Sequence, residues 1–359
     1  MVNQIKTTKI VLVGYLLAKG GMERVFSTVS ELLFSAGFEV HVIVLEDEIE
    51  YPYHGTLLNL GKYSKYQKYF KLRRYLKKNQ FDCVIDFRHR INPTMELVYL
   101  HYIYAGFKTI YTVHTSVLDI HFTKNEWVAK QIFKNVTQIV SVSSKMNELI
   151  KTTYQFEKGV VISNCIANKT PVDSNESNRL DYQYIIAVSR FVAMKQLDKL
   201  IETYAKSDLP QKNIHLVLLG DGEEKERLQA LIMQLELSHL VHLLGYKENT
   251  LEYVKNALFL VLTSQYEGFP MVVLEALHAG TPVISFDCET GPSEMIIHEK
   301  NGLLVENQNF DAFHEAMDKM VENHVLYQTC KANAKNSVSA FSAENIQKKW
   351  VNLITSKIK

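Results

Sequence analysis

The chain has 359 residues and a mass of 41.3 kDa, enough for two domains of ordinary size. Apolar residues make up 47% and charged residues 22%, which excludes long disorder, collagen-like repeats and a coiled coil. Forty basic against 39 acidic side chains leave a formal charge of +1 and exclude a strongly basic nucleic-acid binder, yet residues 1–168 hold 21 basic and 14 acidic side chains (+7) while residues 169–359 hold 19 and 25 (−6).

The β-branched run Lys9–Gly14 ends in glycine, and Ala18-Lys19-Gly20-Gly21 then leads into a helix-period stretch with Val25, Val29, Leu32 and Leu33. This reads as strand, glycine turn, helix. Further strands are expected at Val40–Leu45, Cys83–Phe87, Thr109–Val113 and Gln138–Val142. Between Val40–Leu45 and Cys83–Phe87, eight Lys or Arg residues lie within positions 62–78 without one acid, interleaved with Tyr63, Tyr66, Tyr69, Phe70 and Tyr75. Basic heads with aromatic bodies suit an anionic bilayer surface; the alternative is an ordinary solvated helix face whose apolar side packs on the sheet, and the two readings can coexist. Asp86-Phe87-Arg88-His89-Arg90 closes the third strand. Arg88, His89 and Arg90 are candidates to receive a phosphate-bearing acceptor, with a structural ion pair to Asp86 as the alternative.

Residues 169–181 are turn and linker types and mark the boundary between domains at 1–168 and 182–342. A second alternation follows, with strands at Tyr184–Ser189, His215–Gly220, Val241–Leu244, Leu258–Thr263 and Pro282–Phe286. Helices are expected at Leu197–Lys206, Glu223–Leu235, Thr250–Asn256 and Pro270–Ala279. Strands alternating with helices imply parallel sheets, hence an α/β protein of two Rossmann-like domains facing an interdomain cleft. An amphipathic helix over 343–356, with Ile346, Trp350, Leu353 and Ile354, is free to dock back on the first domain. The four cysteines are widely spaced, no Asp-x-Asp pair is present, and no apolar window approaches the ~20 residues of a membrane span, so a reducing cytoplasm, no metal and at most peripheral membrane contact are expected.

Glu267-Gly268-Phe269-Pro270 follows a strand and runs into a helix bearing Glu275. Eight helical residues would leave the two glutamates about 80° apart and two turns from each other, so they form no close catalytic pair; Glu267 belongs to the loop and Glu275 to the helix. This Glu-x7-Glu pattern resembles that of glycosyltransferase family 4, the retaining nucleotide-sugar enzymes of GT-B fold. Ser189-Arg190 through Lys195 is similar to the family's Arg-x4-Lys, Gly220-Asp221-Gly222 to its strand-ending turn, and Gly20-Gly21 to its N-terminal loop. Gly291-Pro292-Ser293-Glu294 and Asn301–Val305 resemble its closing signature.

The resemblance implies a metal-independent transferase without cofactor, moving a hexose or N-acetylhexosamine from a UDP-sugar to a cell-surface glycan, polymer or lipid-linked acceptor. It implies that Arg190 and Lys195 stabilise the departing diphosphate and that Glu267 and His114 face the donor sugar. Glu275 would bind the ribose, Tyr246 and Lys247 the base, and the Gly268–Pro270 backbone the sugar, while Gly20, Gly21 and Gly220 approach the donor phosphates. A cytoplasmic enzyme at the inner membrane face is the corresponding expectation. A non-catalytic GT-B partner of another transferase, or a related GT-B sugar-nucleotide enzyme, is the alternative, disfavoured by the presence of Arg190, Lys195, Glu267 and Glu275 together.

Overall fold

The computed structural model describes residues 7–166 and 180–358; the expected linker lies almost wholly outside them. The chain divides into two compact units, Met1–Ala167 with Ala343–Lys359, and Asn168–Ser342.

In the first unit β1 (Lys9–Gly14), β2 (Glu39–Val44), β3 (Thr56–Asn59), β4 (Cys83–Asp86), β5 (Thr109–Val113), β6 (Gln138–Ser141) and β7 (Gly159–Val161) form one parallel sheet in the order β3-β2-β1-β4-β5-β6-β7. The central strands are apolar runs buried on both faces, the pattern parallel sheets require. The helices are α1 (Gly21–Ser35), α2 (Lys65–Asn79), α3 (Pro93–Val98), α4 (Leu118–His121), α5 (Glu126–Asn135) and α6 (Ser144–Tyr154). Phe26, Val29, Leu32 and Leu33 put the apolar stripe of α1 on the sheet.

The second unit holds β8 (Tyr184–Val188), β9 (His215–Leu219), β10 (Val241–Gly245), β11 (Leu260–Leu262), β12 (Val283–Phe286) and β13 (Gly302–Val305), parallel in the order β10-β9-β8-β11-β12-β13. Its helices are α7 (Leu197–Lys206), α8 (Lys225–Gln234), α9 (Thr250–Asn256), α10 (Met271–Ala279), α11 (Phe310–Glu322) and α12 (His324–Ser337). The terminal helix α13 (Ala343–Ile358) leaves this unit and buries Ile346, Trp350, Leu353 and Ile354 in the core of the first, against the layer that contains α1.

The long strands and α7, α9 and α10 lie where the sequence places them. Strands β3, β7 and β13 were not anticipated: each has three or four residues and an edge position, too short for a periodicity to register. Both sheets reverse direction of strand order once, between β1 and β4 and between β8 and β11. Ligands of open parallel sheets bind outside the carboxyl ends of the strands at such a reversal. Among the described residues no helix is long and apolar enough to cross a membrane.

Candidate active site

In the second unit the reversal brings together the loop after β8, which carries Arg190 and Lys195, and the loop after β11, which carries Glu267 and runs into α10. The two loops are stitched by backbone: the Gln265 amide donates to the Met194 carbonyl at 2.9 Å, and the Thr263 hydroxyl to the Lys195 carbonyl at 3.1 Å. Across this seam Lys195 Nζ donates to Glu267 Oε1 at 2.5 Å, with the side chains only 16% and 11% exposed. Two residues 72 positions apart thus form one partly buried ion pair at the switch point.

The backbone around this pair leaves little freedom. Gly220 has φ of +140°, and a Cβ there would lie 1.8 Å from the Ser189 carbonyl, so only glycine lets the loop after β9 press against the loop bearing Arg190. Thr290 donates its hydroxyl to the Glu267 carbonyl, and Gly291, at φ of +100°, packs against Gly268 and Pro270. Pro270 caps α10 without a donor of its own, Phe269 is buried against Phe341, and Gly280 in the left-handed region ends the helix. Glu275 is half-buried on α10, and Arg190, Tyr246 and Lys247 are exposed at the ends of β8 and β10. Thr290, whose hydroxyl holds the loop of Glu267, and Gln196, whose side chain donates to Gln308 at 2.8 Å, carry no local signal in the sequence; only the tertiary contacts show their positions.

In the first unit Gly20 is the N-cap of α1 and Gly21 its first residue, with open space where a Gly21 Cβ would stand. His114 lies just past β5, stacked on Phe87 with ring centroids 5.7 Å apart. Both its ring nitrogens are buried without a partner, and burial, reinforced by Arg90, pushes its pKa down to about 3. His121 accepts the His114 backbone N–H at Nε2 (3.0 Å), which leaves its proton on Nδ1. His89 packs edge-on to His121 at 5.3 Å, and burial lowers its pKa as well.

The expectation that Arg88 and Arg90 receive a phosphate is corrected by their burial, 2% and 0% exposed. Arg88 donates to Asp86 at 2.8 Å and to Glu96 at 3.2 Å, and its guanidinium lies 3.2 Å from the centre of the Tyr99 ring. Arg90 donates to the Thr112 carbonyl at 2.7 Å and lies over Tyr111. Burial opposes the Arg88 charge, but the carboxylates of Asp86 and Glu96 hold it well above the ordinary guanidinium range. The ion pair, which the sequence left open, is the arrangement found. Within Asp86–Arg90 only His89 retains access to solvent.

Family models match almost the whole chain: Glycosyltransferase Family 4 over residues 19–168 and Glycosyl transferases group 1 over residues 169–337. The amylovoran biosynthesis glycosyltransferase AmsD of Erwinia amylovora is 25% identical over 96% of this chain and 99% of its own. A Campylobacter jejuni enzyme named as an N-acetylgalactosaminyltransferase acting on a diphospho-undecaprenol-linked sugar is 27% identical over 92% of this chain and 95% of its own. Among solved structures, HepE of Anabaena in complex with UDP superposes with a TM-score of 0.79 at 19% identity, covering 97% of this chain and 100% of that one.

Proposed function

Because the chain belongs to glycosyltransferase family 4 and has the GT-B fold, we propose that it transfers a hexose or N-acetylhexosamine from a UDP-sugar, with retention and without metal, to a cell-envelope glycan, polymer or lipid-linked acceptor. The observation that carries the reading is the Lys195–Glu267 pair at the strand-order reversal. A nucleoside diphosphate entering there offers Lys195 a second anion, and Arg190 stands exposed on the same loop to share it. As the anomeric C–O bond breaks, negative charge grows on the diphosphate, and preplaced cations stabilise that charge as a bound metal would. Glu267 then orients the sugar hydroxyls and Glu275 those of the ribose. The acceptor hydroxyl attacks on the face the diphosphate leaves, and a phosphate oxygen takes its proton.

On the first unit, His114 is our candidate for a sugar contact and His89, the solvent-accessible member of Asp86–Arg90, our candidate for an acceptor contact. The UDP in the Anabaena complex and the diphospho-undecaprenol in the name of the Campylobacter relative support this choice of donor and of a membrane-side acceptor.

A thermal-shift screen with nucleotide sugars in the presence of a chelator tests the proposal. A ligand at about 100 times its Kd adds about 2.7 kcal/mol to native stability, and Lys195→Ala or Glu275→Gln should abolish the shift. The absence of a shift with every nucleotide and nucleotide sugar overturns it, and an inverted anomeric centre in the product overturns retention.

A further inference from the structure

One surface of the first unit has no part in donor chemistry. Residues 51–81 contain no Asp or Glu, and eight Lys or Arg residues crowd positions 62–78. The fold accounts for two of the eight: Lys68 donates to the Leu45 carbonyl at 2.5 Å, and Arg73 spans the carbonyls of Ile103 and Ala105 at 3.0 and 2.9 Å. The other six, Lys62, Lys65, Lys71, Arg74, Lys77 and Lys78, are exposed and meet no carboxylate among the described residues. Helix energetics gives no reason for this arrangement. Like charges three and four positions apart repel, and Lys65 stands in a first turn where the dipole favours an acid.

The apolar residues of the helix are distributed just as unusually. Only Leu72 and Leu76 of α2 are buried, whereas Tyr66 is 86% and Phe70 60% exposed, one turn apart among the cations. Between α2 and edge strand β3 runs a groove of about 540 Å³ whose lining includes Leu58, Tyr63, Phe70, Lys71, Arg74 and Lys78. The Lys71 ammonium lies 4.3 Å above the centre of the Tyr63 ring. A solvated helix face would carry polar residues here. This one pairs cations with outward rings, the composition that enters the headgroup layer of a bilayer.

We propose that the α2–β3 groove binds a phosphate-bearing lipid headgroup of an anionic membrane, with Lys71, Arg74 and Lys78 meeting the phosphate and Tyr66 and Phe70 entering the interface. The inference deepens the membrane-side part of the proposed function and is independent of the donor. Aliphatic Leu58, partly exposed beside the cations, suits a glycerol and acyl stem better than the flat base of a nucleic acid.

The test is co-sedimentation of the full chain with phosphatidylglycerol-containing and with pure phosphatidylcholine vesicles, at low and high salt. Binding should favour the anionic vesicles and weaken with salt. K71E/R74E should lower it by at least about tenfold, the scale of two basic side chains at a membrane surface, while the charge-matched K130E/K134E on α5 should stay within about twofold. Tyr66→Ser with Phe70→Ser, at positions too exposed to threaten the core, should remove the salt-resistant remainder. Equal binding to neutral vesicles, an equal loss in K130E/K134E, or release by an oligonucleotide each overturns the inference. UDP-sugar thermal shifts on the same proteins keep the outcomes apart: vesicle binding without any donor shift sinks the transferase reading alone, and a donor shift without vesicle binding sinks this one alone.

Discussion

His114 shows how far a single environment sets what a side chain can offer. Its ring nitrogens face no protein partner, and burial together with the nearby Arg90 keeps the imidazole neutral, with one donor and one acceptor to offer a ligand. This has a consequence for stability. The folded pKa of about 3 lies below the ordinary value of 6.5, so between those limits the unfolded chain binds more protons than the folded one. The contribution of His114 to stability is therefore constant above pH 6.5 and falls as the pH drops below it, by at most about 1.4 kcal/mol per pH unit. The urea midpoint should fall between pH 7 and pH 5, and His114→Gln should make that fall shallower; an unchanged slope in the variant refutes the assignment. Arg88 teaches a related point. Its charge and its place at a strand end are legible in the sequence, but whether it meets a ligand or Asp86 and Glu96 depends on a burial that one strand cannot reveal.

At the scale of elements, the site is a set of loops held in register by backbone contacts. The loops after β8 and β9 meet so closely that the Ser189 carbonyl occupies the place of a Gly220 side chain. Gly220→Ala should cost on the order of 1–3 kcal/mol and, by displacing the loop of Arg190, weaken the thermal shift with UDP-sugars. Wild-type urea stability and an undiminished shift would show that the loops tolerate separation. The helix α10 was fully legible, because Pro270 and Gly280 punctuate it and its apolar residues are continuous. The pairing of Lys195 with Glu267 was not. Each residue stood out by its motif, but their ion pair spans 72 positions and exists only because β8 and β11 are neighbours in the sheet.

At the scale of the molecule, each unit has its own core, and the last helix of the chain belongs to the first of them. Trp350 is 3% exposed within that core, and Trp350→Ala should destabilise the first unit by about 3–5 kcal/mol. The units should then unfold in separable steps: the substitution lowers one step, a bound nucleotide raises the other, and a single transition that moves as a whole under both would exclude independent cores. The opposite charges of the two halves gain meaning on the same scale. Eight of the 21 basic side chains in residues 1–168 lie on or beside α2, whereas under the proposed function the acidic half would attract an anionic nucleotide with a few placed cations.

Composition, strand–helix alternation and the spacing of Arg190, Lys195, Glu267 and Glu275 by themselves determined the class of fold and the family, because periodicity and short motifs are local properties of the chain. Strand order, burial and side-chain partners are not local. Tertiary structure alone decided that Lys195 is paired with Glu267, that Arg88 and Arg90 are core residues, and that Tyr66 and Phe70 face outward among cations. The physical reason is the same in each case: a side chain's charge and shape are set by its identity, but its solvent and its neighbours are set by elements that come from far along the chain.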